Sequence, residues 1–144
     1  MDRTRVGEIR KMVCEAGKKL YCSGLVAGTW GNIGMRVDDD YMVVTPSGMN
    51  YELLNPEDMV LVNMHDRSYE GRLKPTIEVP MHAALLMARK EICACIHTHS
   101  THALSMATAR RPIPPICDDQ VQILGGSVRV ARYSLPATDA MAEY

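Results

Sequence analysis

The sequence contains no phenylalanine, and aromatic residues of any kind fill only 5% of its 144 positions. Its core must be aliphatic, helped by 11 methionines, whose flexible side chains fill irregular gaps well. No apolar run approaches the ~20 residues that a membrane-crossing helix needs. The opening stretch MDRTRVGEIRKM is charged and has no signal-peptide core, so a cytoplasmic location is expected. Five cysteines, an odd number with no evident pairing pattern, argue against a disulfide framework. There is no excess of either charge: the formal net value is −1. Neither nucleic acid nor an anionic membrane is expected as a partner.

What is present is ordinary for a folded domain: 47% apolar and 23% charged residues. The length suits one domain over residues 1–144. Val6, Ile9, Met12, Val13, Ala16 and Leu20 recur at helical spacing, which predicts an amphipathic helix from about Thr4 to Cys22. Gly24 suits its left-handed end. The Gly-rich stretch GTWGNIGMRV runs into a strand, and Tyr41–Thr45 and Met59–Val62 read as two more. Pro80 fits the first turn of a helix reaching Arg89, because its missing N–H costs nothing there. Ile92–His99 reads as a buried strand, with Cys93 and Cys95 as core residues. Ser100 is placed to cap a helix running to about Ala109. A short helix over Asp118–Leu124, a strand over Ser127–Ala131 and a last helical turn near Ala140–Glu143 complete the pattern. That turn ends abruptly, and the domain's C-terminal part is expected to be missing. Strands mixed with helices imply helices packed on a central sheet.

The strongest chemical constellation is His97-Thr98-His99 at the end of an apolar strand. Residues i and i+2 share a strand face, with Cα atoms about 6.6 Å apart, so two imidazoles can converge on one divalent metal. A catalytic zinc takes three protein ligands and keeps one position open. Taken alone, such a pair is more often solvent-facing or structurally hydrogen-bonded. The bland reading is favoured for His65 in a polar loop, His82 one turn into a helix, and His102 on a helix turning away. Glu78, just before a helix, reads either as a carboxylate favoured by the helix dipole or as a general acid/base or metal partner. The loops Gly28–Asn32 and Thr45–Gly48 expose backbone N–H groups and hydroxyls that suit a phosphate. Most such loops are simply turns.

The segments GTWGNIGMRV, VVTPSGMNYELLNPEDMVLV, KPTIEVPMHAALL and IHTHSTHA, in this order, resemble the class II aldolase/adducin family over nearly the whole chain. The resemblance implies a three-layer α/β/α sandwich with a mixed, mostly antiparallel sheet, commonly assembled as a homotetramer. It implies Zn²⁺ held by His97 and His99, with Mn²⁺ or Co²⁺ also acceptable to such ligands. It implies a phosphate pocket at Thr29, Gly31, Asn32, Ser47, Gly48 and Thr76, and an acid/base role for Glu78. The expected reaction is aldol cleavage of a fuculose-1-phosphate-like ketose 1-phosphate to dihydroxyacetone phosphate and an aldehyde. The metal serves as Lewis acid and Glu78 handles the proton. A sugar-phosphate epimerase or dehydratase, or a non-catalytic interaction module like the adducin head, are the alternatives. The chain departs from the family's pattern in three places. Ile77 stands where a second hydroxyl residue is common, Cys117-Asp118-Asp119 replaces a His-Tyr pair, and the His-His-Gly stretch with the third zinc-binding histidine does not occur.

Overall fold

A computed structural model describes residues 2–143. Helix α1 (Arg3–Cys22) begins where Asp2 accepts hydrogen bonds from the backbone N–H groups of Thr4 and Arg5, satisfying two of the first-turn donors. It runs to the predicted end, and Gly24 follows at φ +72°. The elements after it are β1 (Asn32–Arg36), β2 (Tyr41–Val44), β3 (Val60–Asn63), β4 (Tyr69–Glu70), α2 (Val79–Ala88) and β5 (Ala94–His97). Helices α3 (Thr101–Thr108), α4 (Asp118–Leu124) and α5 (Asp139–Glu143) close the described chain. The sheet order is β4-β3-β2-β1-β5, and each of these ladders is antiparallel.

Alternation along the strands builds three layers. Val43 and Leu61 point to one face with Ile33, where Val6, Ile9, Val13 and Leu20 of α1 cover them. Met42, Val44, Val60 and Val62 point to the other, under Val79, Ala83 and Leu86 of α2. Each of these large aliphatic side chains contributes about 1.5–3 kcal/mol by leaving water. The result is the α/β fold expected from the sequence, with α1 and α2 on opposite faces of the sheet.

Four expectations are corrected. The Ile92–His99 strand is not buried: β5 lies at the sheet edge, paired on one side only, and its residues alternate between exposed and half-buried. For the same reason Cys93 is exposed and Cys95 half-buried, so neither is a core residue. Ser127–Ala131 forms no strand; a single antiparallel bridge joins Val128 to Ile113. Ser100 does stand at the N-cap of α3, but its side chain makes no capping hydrogen bond. The αL end of α4 at Gly125 is as predicted.

Candidate active site

The site forms where the α2 face of the sheet meets its β5 edge. In β1, Ile33 belongs to the α1 side, so Asn32 and Gly34 face α2. Asn32 is paired in register with His97, and Gly34 with Cys95, which brings the end of β5 to the same face. The chain enters α2 through a second set of ties. Thr76 N–H donates to Thr45 O at 3.0 Å, a bridge joins Pro46 to Pro75, and Ser47 N–H donates to Lys74 O at 3.0 Å. Thr76 Oγ1 then accepts from Glu78 N–H at 3.3 Å. Glu78 is therefore delivered at the start of α2, beside Asn32 and His97.

Glu78 is buried at 6% exposure, and its carboxylate is partnered. Asn32 donates Nδ2–H to Glu78 Oε2 at 2.7 Å, and His97 Nδ1 stands 3.6 Å from the same oxygen. The other nitrogen of His97 points away from Glu78: its Nε2 lies 2.8 Å from Nε2 of His99, with the two rings edge to face at 73°. His99 lies beyond the end of β5, held by its N–H donating to Leu25 O at 2.9 Å. The Trp30 ring lies 5.2 Å from its imidazole, centroid to centroid. Burial holds His97 below the ordinary histidine range, against the pull of the Glu78 charge, and His99 lowers it further. Neutral imidazole is the form that binds metal.

The residues fit one half of a metal centre. Two imidazole Nε2 atoms share a tetrahedral zinc when they stand about 3.3 Å apart, and these two already converge at 2.8 Å. Among the described residues, no cluster of three or more His, Cys, Asp or Glu side chains forms a complete cage. Beside His99 opens a cavity of about 560 Å³, lined by Val26, Trp30, Leu104, Thr101 and Ser105 among others. A larger cavity of about 950 Å³ lies on the outer side of α2, between Leu85, Leu104, Tyr133 and Met141, away from the histidine pair.

The six residues assigned to phosphate are placed differently from one another. Thr29, Ser47 and Gly48 are exposed. Gly31 turns the chain at φ +76°, where a Cβ would meet Val26 Cγ1 at 2.4 Å and His97 O at 2.8 Å. Tyr51 donates its hydroxyl to Gly31 O at 2.7 Å, which holds this turn against the sheet. Thr76 and Asn32 are buried, and the Asn32 amide is turned onto Glu78.

His65 and His102 are exposed, as the bland reading predicts, and His65 Nε2 meets Asp40 Oδ1 at 3.0 Å. His82 is different. It is fully buried, and its Nε2 meets Asn32 Oδ1 at 2.5 Å, directly behind the site. Its structural hydrogen bond fits the bland reading, but its place does not. The available signal was its spacing: four residues after Glu78, it lies on the same face of the helix start.

With this geometry in view, comparison with known proteins is decisive at the level of family. Residues 11–144 match the family described as Class II Aldolase and Adducin N-terminal domain. The chain is 33% identical over 135 residues to a 5-deoxy-D-ribulose 1-phosphate aldolase of Bacillus thuringiensis serovar kurstaki, covering 93% of this chain and 63% of that protein. It is 35% identical over 116 residues to a probable L-ribulose-5-phosphate 4-epimerase of Mycoplasma pneumoniae, covering 79% of this chain and 48% of that one. A solved L-fuculose 1-phosphate aldolase superposes with a TM-score of 0.84 at 31% identity, covering 94% of this chain and 64% of the aldolase. The chain thus spans 48% to 64% of the length of these relatives. It belongs to the class II aldolase and adducin N-terminal domain family.

Proposed function

We propose that the chain carries the metal and acid/base residues of a metal-dependent lyase that cleaves a sugar phosphate by retro-aldol chemistry. The substrate is a ketose 1-phosphate resembling fuculose 1-phosphate, and the products are dihydroxyacetone phosphate and an aldehyde. The observation that carries this reading is the convergence of His97 and His99 through Nε2 beside a buried, hydrogen-bonded Glu78. His97 and His99 would hold Zn²⁺, or Mn²⁺ or Co²⁺ in its place. Held there, such an ion would supply Lewis-acid stabilisation of negative charge developing at a carbonyl oxygen.

The remaining work belongs to the chain's own groups. When the C–C bond breaks and the aldehyde leaves, Glu78 delivers a proton to the carbon left nucleophilic, and in the condensation direction it removes that proton. Asn32 holds the carboxylate in line. Thr29, Gly31, Ser47, Gly48 and Thr76 are assigned to the phosphate, whose anchoring fixes the distance between the reacting carbon and Glu78. The cavity beside His99 accommodates the aldehyde end. Homotetrameric assembly and a cytoplasmic location belong to the same proposal. Among the described residues no helix is long and apolar enough to cross a membrane.

A second reading, epimerisation of a pentulose 5-phosphate, is favoured by one observation: several relatives at 32–35% identity are named L-ribulose-5-phosphate 4-epimerases. The absence of a Tyr-Gly-Asp-Ile-Pro segment after the histidine pair, which resembling epimerases carry, weighs for the aldolase. The test is product analysis with Zn²⁺ present, offering fuculose 1-phosphate and ribulose 5-phosphate in parallel to the wild type and to Glu78→Gln. Release of dihydroxyacetone phosphate by the wild type alone supports the lyase. Conversion of ribulose 5-phosphate to its epimer without cleavage supports the second reading. Equal rates for wild type and Glu78→Gln remove the role given to Glu78.

A further inference from the structure

We propose that His82, which lies behind the site, is its positioning residue: acting through Asn32, it aims the Glu78 carboxylate at the histidine pair. The geometry is a closed ring of three hydrogen bonds. His82 N–H donates to Glu78 O at 3.1 Å along the first turn of α2. The His82 Nε2 contact to Asn32 Oδ1 is 2.5 Å, and Asn32 Nδ2 reaches Glu78 Oε2 at 2.7 Å. The carboxylate of Glu78 is tied to its own backbone through two other side chains. That removes rotational freedom that a surface glutamate keeps.

Proton bookkeeping makes each bond directional. An ionised carboxylate only accepts, so the Asn32 amide must turn its NH₂ to Glu78 and its carbonyl to His82. The carbonyl in turn requires His82 to carry its proton on Nε2, which leaves Nδ1 as a bare lone pair. Nδ1 is buried and without a hydrogen-bond partner. Gly34 packs against that side of the ring so closely that a Cβ there would stand 2.8 Å from Nδ1. Burial lowers the His82 pKa to about 4, which keeps the ring neutral, and the bond to Asn32 sets which nitrogen carries the proton.

An unpartnered buried nitrogen works against stability. The neighbouring positions on this face of α2, Val79, Ala83 and Leu86, are apolar and cover the sheet. A leucine in place of His82 would pack there without that penalty. The imidazole is the one side chain on this face that hands a proton to Asn32, and its presence is explained by that bond.

The catalytic consequence rests on Glu78 acting as the acid/base, whereas the hydrogen-bond geometry stands without it, and the experiment separates the two. The full chain is compared as wild type, His82→Leu, His82→Met and His82→Gln, since glutamine keeps an N–H donor of similar reach. By ¹⁵N NMR of the wild type, Nε2 of His82 is expected to be protonated and Nδ1 bare; a proton on Nδ1 overturns the proposal. The Asn32 side-chain NH₂ signal, identified by its loss in Asn32→Ala, is expected to shift in Glu78→Gln and in His82→Leu. It is expected to return towards the wild-type position in His82→Gln. An unmoved signal in His82→Leu overturns the proposal, and His82→Met supplies this arm if the leucine variant does not fold. In the cleavage assay, His82→Leu should lower kcat by about 10–100-fold, the usual range for a residue supporting a direct participant. KM should stay within about twofold, and His82→Gln should recover most of kcat. An equal loss in both variants overturns positioning through the donated proton. A wild type that cleaves no sugar phosphate removes the proposed function, and the NMR arm still decides the role of His82.

Discussion

Gly34 lies directly under His82: a Cβ added to it would sit 2.8 Å from Nδ1 and 3.0 Å from Cγ of the imidazole. Strand β1 and helix α2 therefore approach each other with no room for a methyl group, and the ring is too buried to move aside. Gly34→Ala is expected to destabilise the protein by about 1–3 kcal/mol, the usual penalty of overpacking. Gly7 in α1 is the matched control, since a Cβ there meets nothing within 4 Å. Gly7→Ala should stabilise by about 0.5–1 kcal/mol through helix propensity alone. Urea unfolding of both variants checks the pair. A Gly34→Ala protein as stable as wild type would mean that β1 and α2 are not packed as described.

Acid should separate His82 from its replacements. Its pKa in the folded chain is about 4 against 6.5 for the ordinary side chain, because burial disfavours the imidazolium. The unfolded chain therefore binds a proton that the folded chain refuses between those two values. The stability associated with neutral His82 is complete above pH 6.5, falls as pH drops towards 4, and reaches a loss of about 3 kcal/mol there. His82→Gln lacks this titration. The difference in unfolding free energy between wild type and His82→Gln, followed from pH 7.5 to 4, should shift against the wild type by that order. A pH-independent difference would mean that the His82 ring titrates normally in the folded protein.

Parts of this arrangement were legible in the sequence and parts were not, and the division follows the range of the interactions. The spacing of Val6, Ile9, Val13 and Leu20 is local, and it gave α1 nearly to the residue. The i, i+2 rule placed His97 and His99 on one side, although His99 lies beyond the strand and owes its position to Leu25 O. Ile92–His99 misled because an apolar composition cannot tell a central strand from an edge, and strand order is fixed by distant partners. Asn32 and Glu78 are 46 residues apart, so their bond has no local signature. The family resemblance assigned Asn32 to the phosphate, and its bond to the Glu78 carboxylate is a further contact that the resemblance did not suggest. His82 was passed over for the same reason, because its bond to Asn32 spans 50 residues.

The C-terminal end of α2 depends on a residue from β1. Arg36 donates from Nε to Ile92 O at 3.3 Å, and its terminal nitrogen donates to Leu86 O and Arg89 O. A cation among the last carbonyls of a helix satisfies free acceptors and opposes the helix dipole. Arg36→Met retains the apolar stem but removes all three hydrogen bonds. It is expected to lower stability by about 1.5–3 kcal/mol, the range for hydrogen bonds to a charged group. Hydrogen exchange should also speed up at the Arg89 amide, which bonds to Leu85 O. Arg36→Lys should recover only part of this, because one ammonium lacks the planar fork. Full recovery by lysine would show that charge, not the fork, holds the helix end.

His97 and His99 should each matter to metal in a different way. His97 is held from both sides, by Asn32 across the ladder and by Glu78 near Nδ1, so its Nε2 direction is fixed. A ligand imidazole with a carboxylate on its other nitrogen is a better-oriented and more basic donor. His99 is held by one backbone bond and the flank of an exposed Trp30. Its ring is consequently easier to reorient. Isothermal titration with Zn²⁺ is expected to show His97→Ala and His99→Ala each losing at least about tenfold in affinity. Glu78→Gln should lose less, because Glu78 stands 3.6 Å from Nδ1 of His97, on the side away from the metal-facing Nε2. Trp30→Ala should weaken binding only a few-fold, by loosening His99. Unchanged zinc affinity in the His97→Ala, His99→Ala double variant would move the metal site elsewhere. Equal losses in Trp30→Ala and His99→Ala would show that the indole flank, not the second imidazole, sets the affinity.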